Sequence, residues 1–146
     1  LYQKIDLSKP WDDPVNARVM ETPIPVFQSP YIHTSNFDLN NHYSGNIYLL
    51  GGKTISLKQI TDGTSNTILL GEVAGHFHPW GYPLNWRDPG LGINQSSQGF
   101  GNPGNSKGAL LCMADGTVRF FSKDISLQVM KALATPQGGE IVELPN

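Results

Sequence analysis

The chain has 146 residues, enough for one domain with a buried core, and only 15% of them are charged. Its net charge is −2 and its Lys and Arg residues form no run, which disfavours nucleic acid as a partner because phosphate binding needs a basic surface. No stretch reaches the roughly 18 apolar residues of a membrane-spanning helix. With 16 Gly and 11 Pro, the composition is typical of a loop-rich folded domain.

The first elements in the chain combine proline with short apolar runs. Asp12-Asp13-Pro14 predicts a helix start, with an acidic cap before proline, and Pro23 ends that helix. Pro25-Val26-Phe27 is interpreted as a short edge strand. The apolar and aromatic run Tyr43–Leu50 predicts a strand that ends at Gly51-Gly52.

The middle of the chain contains a strong strand signal and then a long segment rich in turn residues. Thr54 or Ser56 is expected to cap one helical turn through Leu57 and Ile60. The run 67–73 is the strongest strand of the first half. Residues 75–108 are dense in Gly, Pro, Asn and Ser, so this segment is either functional or packed by its own aromatic residues.

The C-terminal third predicts a hairpin, a helix and a last strand. Residues 109–114 and 117–122 flank Asp115-Gly116, the most reliable hairpin signal in the chain. Asp124 is expected to cap the following helix, and residues 140–144 to form the last strand. With no βαβ alternation, the order indicates an α+β fold, an antiparallel β-sheet with short helices, in one domain spanning residues 1–146.

Several segments together resemble a bacterial family. The matching stretches, spread in order over most of the chain, are residues 6–14, 60–73, 85–89 and 113–120, continued by 131–135 and 138–140. They resemble an uncharacterised pilin-like family whose members begin with a prepilin-type cleavage and methylation helix and end in a signature of His, nine residues and Asp-Gly. The motif positions present here are Asp62, Gly63, Asn66, Asp115 and Gly116.

Two positions depart from that family pattern. Asn105 stands where the family usually has the signature histidine. The family often reads Phe-x-Cys-Pro near its first strand, whereas this chain reads Phe27-Gln-Ser-Pro30. Any metal or crosslink that the family's His or Cys carried would be missing here, but turn and strand patterns do not depend on those residues.

The resemblance implies a type IV pilin- or pseudopilin-like head without its N-terminal helix. Because Leu1 is not a natural start, we expect the chain to be a fragment, and the resemblance implies that a hydrophobic helix before it anchors the precursor in the inner membrane. The head would then be extracytoplasmic, and its partners would be protein subunits of a pilus-like filament, a type II secretion apparatus or another envelope assembly. We expect no cofactor and no catalytic activity.

Two pairs of carboxylates have both a ligand and a structural interpretation. Asp12 and Asp13, beside Trp11, could offer oxygen atoms to calcium, but a helix cap explains them more simply. Asp62 and Asp115 could form the carboxylate pair of a glycoside hydrolase, yet both stand where turn geometry calls for Asp-Gly.

Histidine, cysteine and serine give weaker signals. His76 and His78 are two residues apart, a spacing that puts both on one face of a strand and suits a zinc or nickel site, with His33 and His42 as possible partners in another loop. Cys112 lies in an apolar run, where a free cysteine usually behaves as a small buried hydrophobe. The Gly-x-Ser-x-Gly string at residues 104–108 lacks the strand–turn–helix context of a nucleophile elbow.

The long middle segment is the best sequence candidate for a binding site. Its aromatic residues, Phe77, Trp80, Tyr82 and Trp86, are interleaved with proline. Exposed, they could stack on sugar rings or anchor a partner; buried, they would fill the loop. The alternative to the pilin-like hypothesis is therefore a free-standing extracytoplasmic module that binds carbohydrate or protein through the aromatic loop 77–89. A third hypothesis is a metal-dependent hydrolase that uses His76 and His78.

Overall fold

The computed structural model describes residues 1–32, 40–52 and 54–140. Within them the strands are β1 (Asn40–Asn41), β2 (Tyr43–Asn46), β3 (Ile68–Glu72), β4 (His78–Pro79), β5 (Trp86–Arg87), β6 (Gly108–Met113) and β7 (Val118–Ser122). The α-helices are α1 (Pro14–Met20), α2 (Ile47–Leu50) and α3 (Leu127–Ala134). Short 3₁₀ helices lie at Tyr2–Lys4, Pro25–Phe27, Leu57–Gln59, Thr64–Asn66 and Pro89–Leu91.

The sheet has five strands in the order β5-β2-β3-β6-β7. The β2–β3, β3–β6 and β6–β7 pairs are antiparallel, whereas β5 lies parallel to β2. The strands β1 and β4 pair separately as an antiparallel ribbon. The α+β class is therefore confirmed, with the correction that the main sheet is mostly and not wholly antiparallel.

The hairpin predicted around Asp115-Gly116 is confirmed. Leu110 lies opposite Phe120 in the β6–β7 pair, and the turn closes with a 2.8 Å bond from the Met113 N–H to the Thr117 carbonyl. Gly116 has a φ of +86°, a conformation that residues with a side chain rarely adopt. Glycine after Asp115 is therefore required by the positive φ of this turn position.

The helix start at Asp13-Pro14 is also confirmed. The Asp13 carboxylate accepts a 2.9 Å hydrogen bond from the Val15 N–H and forms an ion pair with Lys9 at 3.6 Å. The edge strand expected at Pro25–Phe27 is wrong, because these residues form a 3₁₀ turn. Proline at the first position of that turn has the φ that a helical turn needs and no N–H to leave unpaired.

The strand expected at Tyr43–Leu50 ends early, at Asn46. The Asn46 side chain accepts a 3.0 Å bond from the Tyr48 N–H, which begins α2. Its amide also donates 2.7 Å bonds to the carbonyls of Ile68 and Ala134. These two contacts are distant in sequence, so the apolar run alone does not reveal where the strand stops.

The last helix is capped by Ser126 and not by Asp124. Ser126 Oγ accepts a 3.2 Å bond from the Val129 N–H, whereas Asp124 is exposed. The helical turn expected after Ser56 is confirmed at Leu57–Gln59, with Gln59 accepting from the Ser56 N–H at 2.8 Å. The last strand expected at residues 140–144 lies almost wholly outside the described residues.

The core lies between one face of the sheet and α3. It is closed by the loop that carries Ile93 and Phe100. Gly71 allows this packing, because a Cβ there would lie 2.1 Å from Leu111 Cδ2 and 3.2 Å from Phe100 Cδ1. The fully buried apolar side chains of the core are Ile68, Ile93, Phe100, Leu111, Met113, Met130 and Leu133.

Candidate interaction surface

The two faces of the sheet differ in how they are covered. Alternation along β6 and β7 sends Leu111 and Phe121 into the core. The intervening residues Leu110, Cys112, Val118 and Phe120 point to the other side, as does Leu70 of β3, which lies opposite Cys112. We call Leu70, Leu110, Cys112, Val118 and Phe120 the outer apolar face.

The outer apolar face is largely open to solvent. Val118 is 62% exposed and Phe120 52%, and these two residues lie on the last strand of the sheet. Leu70 and Leu110 are also exposed. The paired registers make these side chains neighbours, so they form a continuous apolar band across three strands. Such a band differs from singly scattered surface leucines and is a marker of an interaction site.

A groove continues the outer apolar face toward β2. Its volume is about 350 Å³, and its walls include Val26, Tyr43, Leu50 and Leu70. Gly45 lies opposite Leu70 and forms part of the lining. Because a Cβ at Gly45 would lie 2.6 Å from Leu50 Cδ1, glycine lets the Leu50 side chain fold over the strand. Groove and band together form one apolar surface.

Cys112 lies within this surface and not in the core. It is half-buried, whereas the sequence indicated a buried small hydrophobe. The strand alternation explains the difference, since Leu111 and Met113 on either side of it point inward. Burial, with a smaller contribution from Asp115, raises the pKa of the Cys112 thiol, so the thiolate fraction at neutral pH is low.

A buried polar network covers one end of the outer face. The Glu72 carboxylate, 2% exposed, accepts bonds from Leu110 N (2.8 Å), Asn102 Nδ2 (2.7 Å) and Ser29 Oγ (3.0 Å). His42 Nδ1 accepts a 3.0 Å bond from the Ser29 N–H. These contacts tie two loops to β3 and β6, and they satisfy a carboxylate that would otherwise be costly to bury.

The amino-acid sequence alone does not reveal this network. The one feature of the network that is visible in the local sequence is Glu72, a carboxylate near the end of the predicted strand 67–73. Its partners Ser29 and Asn102 lie in loops far along the chain, and the hydrogen bonds join positions separated by 43 and 30 residues. Ser29 is also the position where the family pattern has cysteine, and here its hydroxyl is a donor to Glu72.

The aromatic residues of the middle segment contact different parts of the molecule. Trp80 Nε1 donates to the Thr22 carbonyl at 3.2 Å. Tyr82 stacks on His78 with ring centroids 4.2 Å apart and meets the edge of Trp11 at 5.3 Å. Trp86 lies on β5, opposite Gly45. All three are half-buried, and none contacts another of the three as a ring pair.

The two Asp-Gly turns are adjacent, but each carboxylate accepts hydrogen bonds that stabilise the fold, Asp115 within its own turn and Asp62 from a distant loop. The Asp115 N–H donates to the Thr64 carbonyl at 3.0 Å, which links the turns. Asp115 Oδ1 accepts from Thr117, and these bonds hold the Asp115 pKa below its usual range. The Asp62 carboxylate accepts from Gly138 N (2.6 Å) and Gly139 N (3.0 Å). These contacts support the structural interpretation of both aspartates.

The remaining motif residues stabilise turns. Gly63 has a φ of +96°, and Asn66 Nδ2 donates to the Asp62 carbonyl at 3.3 Å. Asn105 Oδ1 accepts a 3.1 Å bond from the Lys107 N–H, and its carbonyl accepts from Asn94 Nδ2 at 3.1 Å. At the signature position, Asn105 therefore organises the loop before β6.

The histidines do not assemble into a metal centre in the part of the chain that the structure describes. No group of three His, Cys, Asp or Glu side chains there could hold an ion. His33, a candidate partner in such a site, lies outside the described residues. His76 and His78 instead lie near Arg87, whose Nη2 donates to the His76 carbonyl at 2.6 Å.

Comparison with known proteins adds no relative. No family model matches the chain, no curated protein sequence matches it, and no solved structure matches its fold. Among residues 1–32, 40–52 and 54–140, no helix has the length and apolar character needed to cross a membrane.

Proposed function

We propose that this chain is a pilin- or pseudopilin-like head, an extracytoplasmic assembly module that docks on protein through its outer apolar face. The observation that carries the proposal is the continuous apolar surface across β3, β6 and β7, left open while the opposite face of the sheet is packed by α3. The family resemblance supplies the context. The occupant of this face would be another protein subunit of the assembly.

The size of the surface supports a docking role. Full burial of one large apolar side chain contributes about 1.5–3 kcal/mol. Leu70, Leu110, Val118 and Phe120 are each roughly half exposed, so covering them would contribute on the order of 4 kcal/mol. The adjoining groove gives a partner a concave site in which an apolar side chain can be anchored.

Cys112 provides the test, because it is the only cysteine and lies within the outer apolar face. The full-length protein would be treated with a maleimide in envelope preparations of its native cells and, separately, as purified residues 1–146. We expect Cys112 to be labelled much more slowly in the envelope than in the purified domain at the same pH. The control is Gln98→Cys in a Cys112→Ser background, since Gln98 is exposed on the loop whose Ile93 and Phe100 pack on the core side of the sheet.

Equal labelling rates for Cys112 in the two preparations, with the Gln98→Cys control also unchanged, would contradict the proposal. Protection of both cysteines would indicate general shielding of the protein, which likewise fails to support docking through this face. Protection of Cys112 alone is the outcome that supports it.

A further inference from the structure

Arg87 is a buried cation on β5. It is 8% exposed, and its Nη2 donates to the carbonyls of His76 at 2.6 Å and Gly75 at 3.4 Å. Its Nε is buried and has no hydrogen-bond acceptor in the described structure. The two carbonyls satisfy one nitrogen of the guanidinium but bring no negative charge.

No carboxylate among the described residues forms an ion pair with Arg87. The neighbouring Asp88 carboxylate accepts from Gly90 N at 2.7 Å and from the Tyr48 hydroxyl at 3.4 Å. Burial lowers the pKa of Arg87, and only the Tyr82 hydroxyl opposes that shift. Burying a charge without a counter-ion is costly, so an unpaired guanidinium in this position requires an explanation.

Two histidines, His76 and His78, lie near the Arg87 guanidinium. His76 is exposed and has a φ of +48°, an uncommon conformation that accompanies the contact of its carbonyl with Arg87. The pKa of His78 is lowered by burial and then by the charges of Arg87 and His76. Besides the Asp88 carboxylate, which is bonded to Gly90 N, the titratable side chains around Arg87 are those of His76, His78 and Tyr82, and none of these three is a carboxylate.

We propose that Arg87, His76 and His78 form a binding site for an oxyanion, a carboxylate or phosphate group. A guanidinium with unused N–H donors is suited to such groups, because charge-assisted bonds from Arg to carboxylate or phosphate are among the strongest in proteins. The anion would compensate the buried charge of Arg87, and His76 at the surface would contact it from the solvent side. The site does not depend on docking through the outer apolar face.

The test is a titration of the purified protein with inorganic phosphate at pH 6 and constant ionic strength, followed by NMR of the histidine ring protons. We expect the His76 and His78 signals to shift saturably while the His42 signal stays in place. A parallel titration with a triglutamate peptide distinguishes a free anion from an acidic protein segment. Saturation by either ligand supports the site. Shifts that are absent, or that change linearly in all the histidines, would overturn it.

Variants separate binding from folding. His76→Asn removes the exposed imidazole while keeping a residue type that tolerates the positive φ of this position, so it should weaken binding several-fold without a change in melting temperature. Lys58→Gln removes an exposed positive charge elsewhere and should leave the affinity unchanged. Equal affinities in His76→Asn and Lys58→Gln would contradict the site.

Discussion

Glu72 shows how one residue can connect parts of the chain that have no local reason to meet. Its carboxylate receives bonds from a strand amide of β6, from the loop residue Asn102 and from Ser29. An ionised carboxylate can only accept hydrogen bonds, and here three donors supply them. The network therefore fixes how the loops around residues 29 and 102 sit on the sheet, and it closes one end of the outer apolar face.

Replacing Glu72 with glutamine should be costly despite the similar volume. One carboxylate oxygen becomes an NH₂ group that faces existing donors, so at least one bond is lost and a donor is left unsatisfied. We expect a loss of about 1–3 kcal/mol in the free energy of unfolding, measured by urea denaturation. Glu21→Gln, at an exposed carboxylate, is the control and should change stability by less than about 0.5 kcal/mol. Equal stability of the two variants would contradict the role given to Glu72.

At the scale of elements, α3 provides a direct test of the corrected cap. Ser126→Ala removes the acceptor for the Val129 N–H and should lower the free energy of unfolding by about 1 kcal/mol. Asp124→Ala should have little effect, because Asp124 is exposed and lies before the cap. The comparison is made by thermal unfolding of both variants. A larger loss for Asp124→Ala would show that the sequence-based assignment of the cap was right.

The elements that the sequence predicted well are those specified by local chemistry. Asp13-Pro14 and Asp115-Gly116 each need particular residues at particular positions, so their patterns are informative. The strand after Tyr43 was assigned too far because its end depends on Asn46 bonds to Ile68 and Ala134. The outer apolar face was missed for a related reason. Alternation reveals two sets of side chains, but only the position of α3 decides which set is covered.

At the scale of the whole molecule, the middle segment is held to the rest of the structure by its aromatic residues. Trp80 bonds to the carbonyl of Thr22, just after α1, and Tyr82 contacts Trp11, just before it. These contacts join regions that are far apart in the chain: Trp80 and Thr22 are separated by 58 residues. They favour the structural interpretation of the aromatic loop, although its capacity to bind carbohydrate stays a prediction.

Trp80 variants distinguish the two interpretations of the loop. Trp80→Phe should lower the free energy of unfolding by about 1 kcal/mol, because the hydrogen bond to Thr22 is lost. Trp80→Ala should lower it further, because the packing of the ring is lost as well. The free energy of unfolding and the binding of a panel of glycans would be measured on the same samples. Loss of glycan binding with unchanged stability in Trp80→Ala would instead support the carbohydrate-binding module.

The position of β7 at the end of the sheet has a consequence for the isolated protein. Among the described residues its only strand neighbour is β6, so one row of its backbone N–H and C=O groups is not paired within the sheet. Val118 and Phe120 make this row apolar on one side. A strand of this kind is a template for intermolecular β-sheet extension and for aggregation. A partner that covers the outer face and reaches over β7 would protect the protein from self-association as it is made.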